Sequence, residues 1–138
     1  MKVKDVMCTK FKLASPDMTL RQAAQMMREG DFGYLPVGHN DRLQGTLTDR
    51  DIVIRAVAEG LGPDTPVNRV MSENVIYCFD DNDVKDAGDV MLTRQIRRLV
   101  VLDRDKRMVG IVSVGDIART GKDSHLTGKI ETGVAQEA

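Results

Sequence analysis

The chain has 138 residues, of which 41% are hydrophobic and 30% are charged, a balance that is typical of a globular domain. Its net charge is −1, and it has no Trp, two Tyr and three Phe, so charge and aromatic content argue against nucleic-acid binding. It contains no apolar run of about 18 residues, which argues against a membrane span. The N-terminus lacks the apolar region of a secretory signal, so we expect a cytoplasmic protein.

The cysteines and histidines do not form a metal-binding pattern. Cys8 and Cys78 form no CxxC motif, and His39 and His125 have no second ligand at zinc spacing. We therefore predict no metal site and no required cofactor. The sequence leaves open whether the two cysteines lie close enough to pair.

The chain contains two copies of one unit, related by a shift of 64 residues. The matched positions are mostly apolar: Val3, Val6, Met7, Ala23, Met27, Leu35 and Val37 fall on Val67, Val70, Met71, Ala87, Met91, Leu99 and Val101. One inserted residue then changes the shift to 65, and a Gly-to-Asp spacing also repeats. We assign the repeats to residues 1–64 and 65–121, followed by a tail at 122–138 that lacks periodicity.

Each copy predicts the order β-α-β-β-α. In the first copy the extended segment KFKLAS precedes a helix that Thr19 can cap, and the strands YLPV and LQGTL follow. A second helix begins after Thr48 and ends at Gly60. The second copy has the segment NVIYCF, a helix capped by Asp83, the strands RLVVLD and MVGIV, and a shorter helix after Ser113.

A single copy of about 60 residues is too small to close a good core alone. We therefore predict an α+β fold in which the tandem β-α-β-β-α repeats pack about a pseudo-twofold axis. Such packing leaves two clefts between the copies, and clefts at internal interfaces are favoured ligand sites.

The most informative motif places a hydroxyl and a carboxylate after a strand glycine in both copies, in GTLTDRDI (45–52) and GIVSVGDI (110–117). A glycine in a strand opens space beside the backbone. Thr48 and Ser113 lie where a strand meets a helix, and they can cap the helix or hydrogen-bond a ligand. Asp51 and Asp116 each offer two acceptor oxygens, which suit the two hydroxyls of a ribose. Because Ser/Thr-x-x-Asp also starts helices, a purely structural role remains an alternative.

The repeated unit resembles the CBS domain, and the whole chain resembles a stand-alone bacterial CBS-pair, or Bateman, module. The resemblance covers residues 3–120 and rests on the openings VKDVM and VNRVM, the helices MTLRQAAQMM and NDVKDAGDVM, the strands YLPV and RRLVVLD, and the two Gly-to-Asp segments. It implies a regulatory module without catalysis that binds AMP, ADP, ATP, NAD or S-adenosylmethionine in its clefts. It also implies a homodimer formed through helices and a regulated partner protein that the sequence does not identify.

The resemblance further implies roles for single residues. Asp51 and Asp116 would hold the ribose hydroxyls, and Thr48 and Ser113 would contact ribose or phosphate. The segments Leu13–Pro16 and Tyr77–Asp80 would enclose adenine, and the contact residues expected there are Ser15, Pro16, Tyr77 and Cys78.

The two copies differ in their basic residues. Arg50 precedes Asp51 only in the first copy, whereas Arg97 and Arg98 enter a strand only in the second. Arginine is well suited to binding phosphate, so we expect the two clefts to differ in anion affinity. Of the two neighbouring arginines, we expect Arg98 to face the cleft.

Two other functions stay open from the sequence. The chain can be an interaction or scaffold module whose clefts stay empty, or a nucleic-acid binder, against which its charge and its few aromatic residues count. Catalysis is not predicted, because the sequence shows no nucleophile–base pair, no metal cluster and no phosphate-binding Gly-rich loop.

Overall fold

The computed structural model of this protein describes residues 1–120, and the predicted tail at 122–138 lies outside the described residues. Short 3₁₀ turns at Val3–Asp5 and Val67–Arg69 open the two repeats. The helices and strands in chain order are α1 (Leu20–Gly30), β1 (Tyr34–His39), β2 (Arg42–Thr48), α2 (Asp49–Asp51), β3 (Tyr77–Phe79), α3 (Val84–Arg94), β4 (Arg98–Leu102), β5 (Met108–Ser113) and α4 (Val114–Ala118). Helix α2 continues as a π-helix over Ile52–Val57. None of the helices within residues 1–120 combines the length and the apolar character needed to cross a membrane.

The predicted α+β fold is confirmed, and its sheets are small. Strands β1 and β2 form an antiparallel pair, and β3, β4 and β5 form a sheet with β4 in the centre. Strand β3 runs parallel to β4, whereas β5 runs antiparallel to it. The second repeat therefore has the predicted order β-α-β-β-α.

The first repeat lacks a regular first strand, and a proline explains the difference. Its predicted strand is reduced to one parallel bridge between Ala14 and Val37, where Ala14 N donates to Pro36 O and Gly38 N donates to Ala14 O. Because Pro36 has no N–H, it cannot donate the bond that would extend the pairing toward Lys12. The second repeat has Val100 at the position of Pro36, and there three residue pairs join β3 to β4.

The compact units of the structure combine segments from both sequence repeats. The first-repeat unit consists of residues 12–75, and the second-repeat unit consists of residues 1–11 together with residues from 76 onward. The opening Val3 is fully buried among core residues of the second-repeat unit, and Val67 is fully buried in the first-repeat unit. Each Val-Met opening therefore completes a core that is formed mainly by residues distant from it in sequence.

The helices begin where their capping residues predict. Thr19 accepts a hydrogen bond from Gln22 N at the start of α1, and Asp83 accepts one from Lys85 N at the start of α3. The apolar spacing of α1 buries Leu20, Ala23 and Met27, and α3 buries Ala87, Gly88 and Met91. These helix faces pack on the sheets and so hold the strand ends that carry the candidate site.

Candidate functional site

The first-repeat unit joins Thr48 and Asp51 in a reciprocal capping box. Thr48 Oγ1 accepts from Asp51 N at 3.0 Å, and Asp51 Oδ2 accepts from Thr48 N at 3.0 Å. The box forms because Thr48 is extended at the end of β2 while the next residue is already helical. Asp51 is half-buried, and within residues 1–120 its Oδ1 accepts no hydrogen bond. One carboxylate oxygen is thus held by the backbone while the other remains available.

The second-repeat unit repeats the box with Ser113 and Asp116. Ser113 Oγ accepts from Asp116 N at 3.0 Å, and Asp116 Oδ2 accepts from Ser113 N at 2.8 Å. Here the second oxygen is also engaged, because Arg119 donates to Asp116 Oδ1 in an ion pair. Asp116 is also more buried than Asp51, with 8% of its surface exposed. The two carboxylates are therefore held in the same way by the backbone, but within residues 1–120 only that of Asp116 has a second partner.

The residues opposite the two hydroxyls differ between the units. Tyr34 is the cross-strand partner of Thr48, and Arg98 is the cross-strand partner of Ser113. Arg97 and Arg98 are both exposed, as is Arg50 in the first-repeat unit. Because both Arg97 and Arg98 are exposed, accessibility does not favour one over the other. The choice of Arg98 as the ligand contact stays a prediction.

The strand glycines have a structural role that the sequence did not reveal. A Cβ on Gly45 would lie 2.8 Å from Met71 Sδ and 2.8 Å from Ser72 O. Next to Gly45, Thr46 and Ser72 exchange two backbone hydrogen bonds of 2.9 and 2.8 Å. The space that this glycine opens beside the strand is therefore filled by the chain itself rather than left for a ligand.

Gly110 repeats the arrangement in the second-repeat unit. Its Cβ would lie 2.7 Å from Met7 Sδ and 2.9 Å from Cys8 O, and Cys8 pairs with Ile111 through bonds of 2.8 and 3.0 Å. The repeated methionine and the repeated glycine are thus two parts of one packing contact.

The residues expected around adenine do not lie beside the capping box of their own unit. Ser15 follows the bridge of Ala14 to Val37 and so lies at the Gly38 end of β1, whereas Thr48 pairs with Tyr34 at the other end. Four residues of strand separate these positions, which corresponds to about 13 Å. In the second-repeat unit, β4 lies between Tyr77 on β3 and Ser113 on β5. Within each unit the structure brings the hydroxyl and the carboxylate together, with Arg98 opposite Ser113 in the second-repeat unit, but it does not add the residues expected around adenine.

The expected adenine contacts also differ in accessibility. Tyr77 is 37% exposed, whereas Cys78 is 5% exposed and lies in the core of the second-repeat unit. Burial raises the pKa of the Cys78 thiol to about 12, so the thiol is neutral at physiological pH. Pro16 is buried, and Ser15 donates a 2.8 Å hydrogen bond to Asp17 that lowers the pKa of this carboxyl. The Cys78 side chain therefore packs in the core of the second-repeat unit.

An aromatic and charged cluster surrounds the end of β3. The Tyr77 and Phe79 rings meet edge to face at 5.7 Å, and the Arg104 guanidinium lies 4.0 Å from the Phe79 ring centroid. Arg104 also forms two hydrogen bonds, of 2.7 and 2.8 Å, to Asp81. These bonds lower the pKa of Asp81 and raise that of Arg104. The cluster holds Tyr77 against the strand end.

The sequence reasoning missed Arg119, whose guanidinium occupies the second oxygen of Asp116. The signal was present, because an acidic and a basic residue three positions apart on a helix are neighbours. At the equivalent position the first repeat has Ile54, which cannot form an ion pair.

The comparisons with known proteins agree with this architecture. The family model described as "CBS domain" matches residues 3–57 and 67–123, which together make up most of the chain. The chain belongs to the CBS-domain family and contains two CBS repeats. The resemblance seen in the sequence is thus confirmed at the level of the family and of the fold.

Individual relatives cover nearly the whole chain. The chain is similar to the CBS domain-containing protein YhcV of Bacillus subtilis, with 36% identity over 135 residues, which cover 98% of this chain and 96% of the relative. It is 43% identical over 118 residues to Hypoxic response protein 1 of Mycobacterium tuberculosis, covering 84% of this chain and 82% of the relative.

Two solved structures bear on ligands. A crystal structure of Hypoxic Response Protein I with two coordinated zinc ions has a TM-score of 0.79 and 39% identity, covering 87% of this chain and 98% of that one. The CBS domain pair of protein MJ0100, in complex with 5-methylthioadenosine and S-adenosyl-L-methionine, has a TM-score of 0.77 and 27% identity, covering 88% and 95%. In the present chain, no group of three or more His, Cys, Asp or Glu within residues 1–120 is arranged to hold a metal ion.

Proposed function

We propose that this CBS pair is a non-catalytic regulatory module that binds an adenosine-containing ligand through Asp51 and Asp116. The observation that carries the proposal is the reciprocal box at Thr48 and Asp51, in which the backbone holds one carboxylate oxygen and the other has no partner within residues 1–120. A ribose presents two neighbouring hydroxyl donors, and an ionised carboxylate can accept several hydrogen bonds at once. The adenosine compounds bound by the MJ0100 CBS pair support the same ligand class.

The fixed orientation of each carboxylate favours recognition over a purely structural role. A capping box needs one carboxylate oxygen, whereas Asp51 keeps its second oxygen available and half-buried. Because the side chain is already ordered by the box, a ligand does not have to immobilise it on binding. The proposal assigns the ribose contact to Asp51 and Asp116, contacts to ribose or phosphate to Thr48, Ser113 and the neighbouring arginines, and adenine contacts to the segments around Ser15 and Tyr77.

The direct test compares adenosine with 2′,3′-dideoxyadenosine, which lacks the diol. We expect calorimetry to show that wild type binds adenosine more tightly than the dideoxy compound by about tenfold, the size of a charged hydrogen bond. Asp51→Asn with Asp116→Asn should remove this preference, because an amide still supplies the capping oxygen but loses the charge. Asp49→Asn is the matched control, since Asp49 is exposed and lies outside the box.

A second measurement tests ligand binding itself, independently of the role of Asp51 and Asp116. Thermal-shift screening at millimolar concentration should show that AMP, ADP, ATP, NAD or S-adenosylmethionine raises the melting temperature, since a ligand of the folded state must stabilise it. If none of them does, the regulatory proposal is wrong. If adenosine binds but the double variant keeps its preference for the diol, the role of the two aspartates is wrong.

A second candidate function, an interaction module, is favoured by exposed apolar side chains on one helix. The helical segment after β2 exposes Val53, Ile54 and Val57 by 59%, 45% and 67%. Adjacent exposed apolar residues are typical of an interface, and we propose that a second copy of this chain covers them. Light scattering should show a dimer for wild type and a monomer for Val53→Lys with Val57→Lys. A monomeric wild type would contradict the dimer.

A further inference from the structure

The second carboxylate oxygen of Asp116 is occupied by the protein itself. Asp116 Oδ2 accepts from Ser113 N, and Asp116 Oδ1 accepts from the Arg119 guanidinium. The Asp116 side chain is 9% exposed and the Arg119 side chain 74%, so the ion pair closes the carboxylate from the solvent side. Among residues 1–120 Asp51 has no such partner, and Ile54 stands at the position equivalent to Arg119.

Because little of the Asp116 side chain is exposed and Arg119 lies on its solvent side, a ribose diol can reach the carboxylate only if the guanidinium moves. Separating a largely buried carboxylate from the cation that pairs with it is costly unless that cation gains another anion. A phosphate group offers that anion and matches the two-pronged geometry of a guanidinium. A nucleotide can thus offer Arg119 a phosphate in place of Asp116, whereas an uncharged nucleoside offers it no anion.

The charged residues around the two carboxylates also favour an anionic ligand at Asp116 over Asp51. Arg98 lies directly across the strands from Ser113, and Arg97 precedes it. In the first-repeat unit the equivalent residues are Tyr34 and Gly33, and the carboxylate of Asp49 lies so close to Gly33 that a Cβ there would meet its Oδ2 at 2.4 Å. Arg50 adds one positive charge next to Asp51, whereas Arg97, Arg98 and Arg119 belong to the second repeat, so the region around Asp116 remains the more positive of the two.

We propose that Arg119 makes the Asp116 site selective for phosphorylated adenosine ligands over uncharged ones, while the Asp51 site lacks this selectivity. The inference rests on the proposed function, since it assumes that both aspartates bind ribose. Arg119 acts here as a specificity-determining residue that competes with the ligand for Asp116 and then pairs with the ligand's phosphate.

The test measures AMP and adenosine at one site at a time. In an Asp51→Asn background, which leaves the Asp116 site, calorimetry should show that AMP binds about tenfold or more tightly than adenosine. Adding Arg119→Ile introduces the residue that the first repeat has at the equivalent position. This change should strengthen adenosine binding and weaken AMP binding, so that the ratio of AMP affinity to adenosine affinity falls by about tenfold.

The readouts distinguish this inference from the proposed function. If neither AMP nor adenosine binds to wild type, the proposed function is overturned and this inference with it. If both bind but Arg119→Ile leaves the AMP-to-adenosine ratio within twofold of its starting value, only the role of Arg119 is overturned. Arg119→Lys serves as the second variant should the isoleucine variant not fold, and a ratio equal to that of the parent background would also contradict the role of the guanidinium. A purely structural ion pair would change the melting temperature without changing this ratio.

Discussion

Replacing Gly45 or Gly110 by alanine tests the packing contact that joins each Val-Met opening to a strand. The added Cβ would lie 2.8 Å from Ser72 O at Gly45 and 2.9 Å from Cys8 O at Gly110. The nearby methionine sulfurs can rotate away, but a backbone oxygen moves only if its bridge opens. Each bridge contains two backbone hydrogen bonds, so opening it costs about 1–3 kcal/mol.

Keeping the bridge closed would instead strain the core by a similar amount, about 1–3 kcal/mol. We therefore expect each alanine variant to lower the free energy of unfolding by about 1–3 kcal/mol in urea titrations followed by circular dichroism. Gly62→Ala is the matched control, because a Cβ at Gly62 meets nothing within 4 Å. This variant should be neutral or slightly stabilising.

The reasoning is refuted if Gly45→Ala and Gly110→Ala unfold with the same free energy as Gly62→Ala. That result would mean that the openings do not pack against β2 and β5 as described. A loss confined to one of the two variants would refute the equivalence of the two contacts.

Four further predictions concern the two thiols, a helix cap and a surface ion pair. At pH 8 a thiol reagent should modify exposed Cys8 rapidly and buried Cys78 only on unfolding. Burial raises the pKa of Cys78 from 9.0 to about 12, so the stability that the neutral thiol contributes is complete below pH 9 and is lost between pH 9 and 12. Urea titrations should therefore show that the free energy of unfolding of wild type falls over this range relative to that of Cys78→Ala. Thr48→Ala should lower the free energy of unfolding by about 0.5–2 kcal/mol, whereas Thr48→Ser should keep most of it. Arg104→Ala should raise the pKa of Asp81 in an NMR titration, because the Arg104 hydrogen bonds hold it low, and an unchanged value would contradict that cause.

The repeat, the helix caps and the α+β class follow from the sequence because they depend on local chemistry. Thr19 and Asp83 cap helices through neighbouring N–H groups, and a short apolar run between turns predicts a strand wherever it packs. The hydroxyl–carboxylate pairs were predictable for the same reason, because the three-residue spacing itself closes the capping box. The same spacing also allowed the structural alternative, and local sequence could not choose between the two.

Tertiary packing decided what contacts these local elements. No local rule predicts that Val3 completes the core around Val101 or that Met71 fills the space beside Gly45, since these contacts join residues far apart in the chain. Packing likewise buried Cys78 and most of Asp116, whereas the ion pair of Asp116 with Arg119 is local, because only three helical positions separate the two residues. Spacing along the chain thus determined which groups sit together at each strand end, whereas the environment of each group, and so its availability to a ligand, depended on the folded structure.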